Sequence, residues 1–308
     1  MRDTIYYRQV QLLIQVLPLI ATEKIFALKG GTAINLFVRD MPRLSVDIDL
    51  VYLPKDGRDV ALTNIRTALS RISDLITKSI AGSQVQKTHE QSEALRLIVQ
   101  RADVRIKIEM SPVIRGTVLE PETRAVSKSV ESEFGFTEMP IVSLPDLYAG
   151  KICAALDRQH PRDLFDVRLL LDNEGFGDQF RKTCLVYIIS HQRPIAELLR
   201  PNRKDIKKVY ESEFVRMTQV DIPVSVLENT REELITRLNE TLTREEKQFL
   251  LSFKSKTPNW FLLGLPGEDQ IANLPSVKWK QFNLQKMPLE KHKQALERLQ
   301  QILHISLM

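Results

Sequence analysis

Cysteine is nearly absent from this chain of 308 residues: only Cys153 and Cys184 occur, in unrelated contexts. Two such residues build neither a disulfide framework nor a zinc-ligand spacing, so a reducing cytoplasm is the expected compartment. Long apolar runs are missing as well. Val10 to Ala21 is interrupted by Gln11 and Gln15 and falls short of the roughly 20 residues that cross a bilayer, so no membrane association is expected. The opening Met1-Arg2-Asp3-Thr4 has none of the features of a secretory signal. Internal repeats and low-complexity linkers are absent too. Hydrophobic residues at 43% and charged residues at 27% exclude disorder as the default state and fit a globular protein of one large or two smaller domains.

What is present begins with charge. A net charge of +5 and a pI near 9.1 favour a polyanionic partner but do not by themselves identify one. Basic residues thicken at Arg200, Arg203, Lys204, Lys207 and Lys208. On a helix starting near Asn202, Arg203 and Lys207 share one face and Lys204 and Lys208 another, readable equally as a solvated surface or a phosphate-binding stripe.

The pattern along the chain changes near residue 142. Before it, helical and strand patterns alternate: a helix over Ile5 to Ile20, a short apolar run from Lys24 to Leu28, a short helix from Thr32 to Val38, a strand from Val46 to Leu53 and a helix from Val60 to Lys78. Strand-like stretches follow at Val85 to His89, Ala94 to Gln100 and Val104 to Val113. After it, the period is 3.6 almost throughout, in helices near Leu144, at Pro161, and over Gly177 to His191, Lys204 to Gln219, Val224 to Thr241, Arg244 to Phe253 and Leu289 to Ile305. The expectation is an α+β fold with a core domain at 1–142 and a mostly α-helical domain at 143–308.

The chemistry-bearing constellation is Lys29-Gly30-Gly31-Thr32, followed by Ser45-Val46-Asp47-Ile48-Asp49. Two glycines between a strand and a helix let the backbone approach an anion, and the helix start offers free amides to a phosphate. Asp-X-Asp on a strand puts both carboxylates on one face, where a cation between them relieves their repulsion. Hard oxygen ligands select Mg2+ or Mn2+. Glu109 lies on the charged face of its strand beside Lys107, a candidate third metal ligand and general base that is equally readable as half of an ordinary Lys-Glu pair. Ser45, two residues before Asp47, shares the aspartate face, so a phosphate on it would compete for the metal site.

Together with Arg43-Leu44 before that serine, with Lys151-Ile152-Cys153-Ala154-Ala155, with Arg158 and with Pro161-Arg162-Asp163-Leu164-Phe165-Asp166, these motifs resemble the AbiEii/AbiGii-type nucleotidyltransferase toxins, which include the MenT toxins. The matches are scattered over residues 29 to 166. The resemblance implies a DNA polymerase beta-like core, a small mixed sheet flanked by helices, with a helical C-terminal domain closing the active-site cleft. It implies transfer of nucleotides from an NTP to RNA, with the tRNA acceptor end as the best-known target class, and a cognate antitoxin encoded nearby. Carried over residue by residue, Gly30, Gly31 and Thr32, with Lys29 and Ser45 beside them, hold NTP phosphates, and Asp47 and Asp49 bind metal. Lys151 neutralises the triphosphate together with Arg158, and Asp166 orients one of those two cations. Taken singly, Lys151 also reads as a helix-surface lysine, and Arg162 with Asp166 as an i,i+4 ion pair; His160 reads as a loop residue. A monomer is expected. A nucleotidyltransferase acting on a small molecule such as an aminoglycoside or on a protein hydroxyl, and a catalytically silent nucleic-acid-binding module, are the competing readings.

Overall fold

A computed structural model describes residues 4–88, 95–111, 114–218 and 220–305. The expected strand and helix ends at His89, Ala94, Val113 and Gln219 lie outside them. The chain divides into two compact units, Met1–Ser143 and Leu144–Met308.

In the first unit, α1 (Ile5–Ile20) is followed by β1 (Phe26–Lys29), a short helix α2 (Gly30–Ala33) that continues as a π-helical turn (Ile34–Val38), and β2 (Asp47–Tyr52). Helix α3 (Arg58–Ser79) leads to β3 (Ser83–Thr88), β4 (Leu95–Arg101) and β5 (Val104–Met110). The unit closes with β6 (Glu122–Ala125), α4 (Lys128–Phe134) and β7 (Glu138–Ile141). Among the described residues seven strands form one mixed sheet in the order β3-β4-β5-β2-β1-β7-β6. β2 runs parallel to β5 and antiparallel to β1. The β6, α4 and β7 elements have no counterpart in the periodicity, because strands of four residues are too short to show alternation and a helix of seven too short to show its period.

The sheet has one apolar face. Ile48 pairs with Ile108, and Ile108 with Leu97, in register; all three are buried, as are Leu13 and Leu17 of α1 and Ile65, Leu69 and Ile72 of α3. α1 packs on β5, and α3 on β3 and β4. Because side chains alternate along a strand, covering this face turns Asp47 and Asp49 to the other one.

The second unit is helical: α5 (Leu144–Asp157), α6 (Pro161–Asn173), α7 (Asp178–Ser190), α8 (Ile195–Leu199), α9 (Lys207–Glu213), α10 (Val224–Glu240), α11 (Arg244–Lys254), a 3-10 turn (Trp260–Leu263), α12 (Glu268–Ala272), α13 (Pro275–Gln285) and α14 (Leu289–Leu303). The helix expected from Lys204 is corrected to α9, which starts only at Lys207 and buries nothing. Tertiary hydrogen bonds hold the preceding backbone extended. The buried Gln159 side chain donates to the Asn202 carbonyl at 2.7 Å and accepts from the Lys204 amide at 3.0 Å, and Arg231 donates to the Lys204 carbonyl at 2.8 Å. Arg203 and Lys204 therefore share no helix face with Lys207 and Lys208.

The two faces of β2 give a direct contrast. Ile48→Ala should cost about 2–5 kcal/mol as a truncation in a closed core, whereas Asp47→Ala on the open face should stay within about 1 kcal/mol; urea denaturation of the two variants checks it.

Candidate active site on the sheet and a buried charge cluster

The charged face of the sheet is built by strand register. Lys29 of β1 lies opposite Asp49 of β2, Asp49 opposite Glu109 of β5, and Glu109 opposite Arg96 of β4. Directly paired residues project to the same side, so a row of two carboxylates flanked by two cations crosses four strands. One pleat along, Asp47 faces Lys107. The Lys107 ammonium stands 2.8 Å from Glu109 and 3.8 Å from Asp47, and Arg96 pairs with Glu109. The alternation within Ala94 to Gln100 was the signal that could have placed Arg96 in this row.

The turn after β1 abuts the same carboxylates. Gly30 has φ +77, and a Cβ there would stand 2.6 Å from Asp49 Oδ2. Only glycine takes that conformation readily and leaves the carboxylate room. At Gly31 a Cβ would stand 2.7 Å from both the Arg43 guanidinium and Ser45 Oγ. Thr32 is fully buried, and its hydroxyl, 3.1 Å from Ser45 Oγ, donates to the Asp47 carbonyl. That side chain ties the helix start to the first residue of β2. Asn35 donates to the Gly31 carbonyl at 2.8 Å and accepts from the Arg43 amide at 3.3 Å, closing the loop that carries Ser45.

The donor set fits a hard divalent cation, since Asp47, Asp49 and Glu109 present only carboxylate oxygens. Among the described residues, no three carboxylate, imidazole or thiolate side chains stand close enough together to ligate an ion. Glu109 is turned to Arg96 and Lys107 instead, so Asp47 and Asp49 are the part of the set that the strand geometry fits directly.

The second group of candidate residues sits on α5 and α6. Lys151 is almost fully buried, and its ammonium lies 2.9 Å from Asp163 and 3.0 Å from Asp166, both 0% exposed. Seven residues on, just past the end of α5, Arg158 grips the same Asp163 with a two-pronged contact, one prong at 2.9 Å. Lys151 and Arg158 thus share a helix face, as the i,i+7 spacing requires. Lys151 is no surface lysine, and Asp166 pairs with it, while Arg162 reaches Glu213 at 3.7 Å. His160 caps α6, its Nδ1 accepting from the Arg162 amide at 3.1 Å, and burial lowers its pKa. Asp163, the hub of the cluster, was missed as a site residue; it lies one turn before Asp166 in the Arg-Asp-X-X-Asp segment, and that i,i+3 spacing was the available signal.

Burial alone would push the Asp163 carboxyl up, but the Lys151 and Arg158 charges overcome it and hold the group well below the usual carboxylate range. The four charges sum to zero, which is how so much charge is tolerated with so little solvent.

Residues 11–281 match the family model described as "Nucleotidyl transferase AbiEii toxin, Type IV TA system". Among solved structures, the chain is similar to MenT4, a nucleotidyltransferase toxin from Mycobacterium tuberculosis H37Rv, with a TM-score of 0.61 at 15% identity, covering 89% of this chain and 91% of that one. That likeness is one of fold, and it agrees with the expected α+β class. No curated protein matches the chain.

Gly30→Ala should lower stability by about 1–3 kcal/mol, from backbone strain and contact with Asp49, and should perturb the charged face more than Gly57→Ala, where a Cβ meets nothing within 4 Å; paired thermal melts read the difference. Asp163→Asn should cost about 3–5 kcal/mol near neutral pH by leaving the buried Lys151 underpaired and removing the partner of the more exposed Arg158. Because the folded-state pKa of Asp163 is depressed, its contribution is present above the unfolded pKa of about 3.9 and is lost as pH falls toward the folded value. Melts of the wild type and Asp163→Asn should therefore draw together progressively below about pH 4.

Proposed function

This chain belongs to the AbiEii nucleotidyltransferase toxins of type IV toxin–antitoxin systems, and on that premise we propose that it transfers a nucleotide from an NTP to the 3′ hydroxyl of an RNA, with the tRNA acceptor end as the target class. The observation that carries the reading is the row in which Asp49, abutted by Gly30, lies in register with Glu109 one pleat from Asp47. It places carboxylates beside a glycine turn of the kind that admits a phosphate.

In this reading Asp47 and Asp49 hold Mg2+ or Mn2+, and Glu109 completes the set when its carboxylate leaves Arg96 and Lys107. The bound ion would supply charge neutralisation for the triphosphate and polarise the attacked phosphorus. Lys29, Gly30, Gly31, Thr32 and Ser45 form the phosphate-binding side, with Thr32 acting through the backbone it fixes at Asp47. Glu109 accepts the proton of the attacking hydroxyl, and the products are RNA longer by one nucleotide and pyrophosphate. On the helical unit, Arg158 is the outward cation available to a phosphate, its side chain 62% exposed. Lys151 and Asp166 act as positioning residues, fixing Asp163 and through it Arg158. The family implies a cognate antitoxin encoded nearby, and the enzyme works in the cytoplasm.

Incubation of the protein with each labelled NTP and total RNA, followed by identification of the labelled band, tests the reading. Asp47→Asn and Asp49→Asn should each reduce transfer by at least about 100-fold, or about 2.7 kcal/mol in the barrier. Undiminished transfer by Asp47→Asn overturns the site assignment. Label appearing only on protein or on a small acceptor overturns RNA as the substrate.

A further inference from the structure

A trough on the helical unit has a composition that the catalytic assignment does not use. Three adjoining cavities of about 500, 270 and 320 Å3 run between the α7–α8 turn, the 200–206 loop and α14, and Arg298 lines all three. Along α14, Lys291, Gln294, Arg298 and Gln301 line them at intervals of three, four and three residues, which is one helix face. All four are exposed. From the facing loop comes Arg200, exposed at the C-terminal end of α8. Acidic groups do enter the trough, at Asp157 and Glu197, but Arg193 engages both. Arg203 is occupied by Glu232. Among the described residues, Arg200, Lys291 and Arg298 have no ion-pair partner, and the acids Glu290 and Glu297 of α14 do not line the cavities.

The loop wall is built rather than loose. Gln159 and Arg231 fix the backbone of Asn202 and Lys204, and the α14 wall is seated by buried Leu299 and Leu303. Gln159 directly follows Arg158 in the chain, so the trough begins where α5 ends, beside the outward cation of the charge cluster.

From this we propose that the trough holds the phosphodiester backbone of the RNA acceptor through Arg200, Lys291 and Arg298, a deepening that rests on the RNA reading above. The distance from Lys291 to Gln301 is about 15 Å at 1.5 Å per residue, room for about four stacked nucleotides at roughly 3.4 Å each. A free NTP has no need of a track that long. No aromatic ring lines the cavities, so bases find no stacking platform there and the contact is to phosphates, which position the strand without reading its sequence.

The test compares the full-length wild type with a variant carrying Arg200→Gln, Lys291→Gln and Arg298→Gln, by filter binding to unfractionated tRNA and to poly(U) without NTP, between about 50 and 200 mM salt. Losing three phosphate contacts should flatten the slope of log affinity against log salt by about 2, at roughly 0.7 per single-strand contact. The change should be equal for the two RNAs, with the KM for NTP and the melting temperature unmoved. Lysine at positions 200 and 298, with Lys291 kept, should restore the slope.

An unchanged slope overturns the trough. So does a KM for NTP that rises in step with the RNA dissociation constant, which would assign these cations to the donor site. Loss of affinity for polyglutamate with RNA binding intact would give the trough to an acidic protein instead. If the wild type binds RNA with the steep slope yet labels none, the transfer reading fails and the trough stands; if it labels RNA and the variant binds equally well, the reverse holds.

Discussion

Two carboxylates held side by side on parallel neighbouring strands are the constraint from which the first unit follows. Asp49 and Glu109 are in register on strands about 4.8 Å apart, where like charges repel by about 1 kcal/mol in water and several times that at a lower effective dielectric. Lys29 and Arg96 at the two ends of the row, with Lys107 one pleat away, offset that repulsion. The row exists only if β2 runs parallel to β5, and parallel neighbours need a long crossover. Here the crossover is α3 with the β3-β4 hairpin, and the same segment supplies Arg96 and the apolar cover for the opposite face. The turn at Gly30 then brings main chain against Asp49 where a side chain would not fit.

The cluster on α5 and α6 handles charge by the opposite means. The sheet row is open to solvent, whereas Asp163 and Asp166 have none, and a buried carboxylate without a partner costs several kcal/mol. Neutrality is therefore obligatory: Lys151 answers both aspartates and Arg158 adds a second cation to Asp163. An ammonium committed this way is poorly placed to leave for a ligand, whereas Arg158 keeps most of its side chain in solvent while it pairs with Asp163.

The legible parts of the sequence were those with a local period. Alternation along β2 and β5 defines both faces, so the residue pattern alone puts Asp47, Asp49 and Glu109 on charged strand faces. That Glu109 is the in-register neighbour of Asp49 depends on pairing residues about sixty positions apart, beyond the reach of any local periodicity. The short strands β6 and β7 were invisible for a related reason, since they exist through pairing with each other and with β1. At Lys151 the motif was legible but its environment was not: nothing in the spacing says that a helix lysine points into a fully buried pair of acids.

Basic residues teach the same lesson about partners. The basic run from Arg200 to Lys208 reads in sequence equally as a solvated surface or a phosphate-binding stripe; in the fold Arg203 is neutralised by Glu232, and Lys204 donates to the Asp157 carbonyl. Local density counted charges that tertiary structure had already spent. Lys291 and Arg298 are sparse by comparison, but their seven-residue spacing keeps them on one face of α14, and Arg200 meets them from across the trough. Net charge is thus a weak guide to a polyanion's path, and what decides it is which cations remain unpaired on a common wall once the fold has formed.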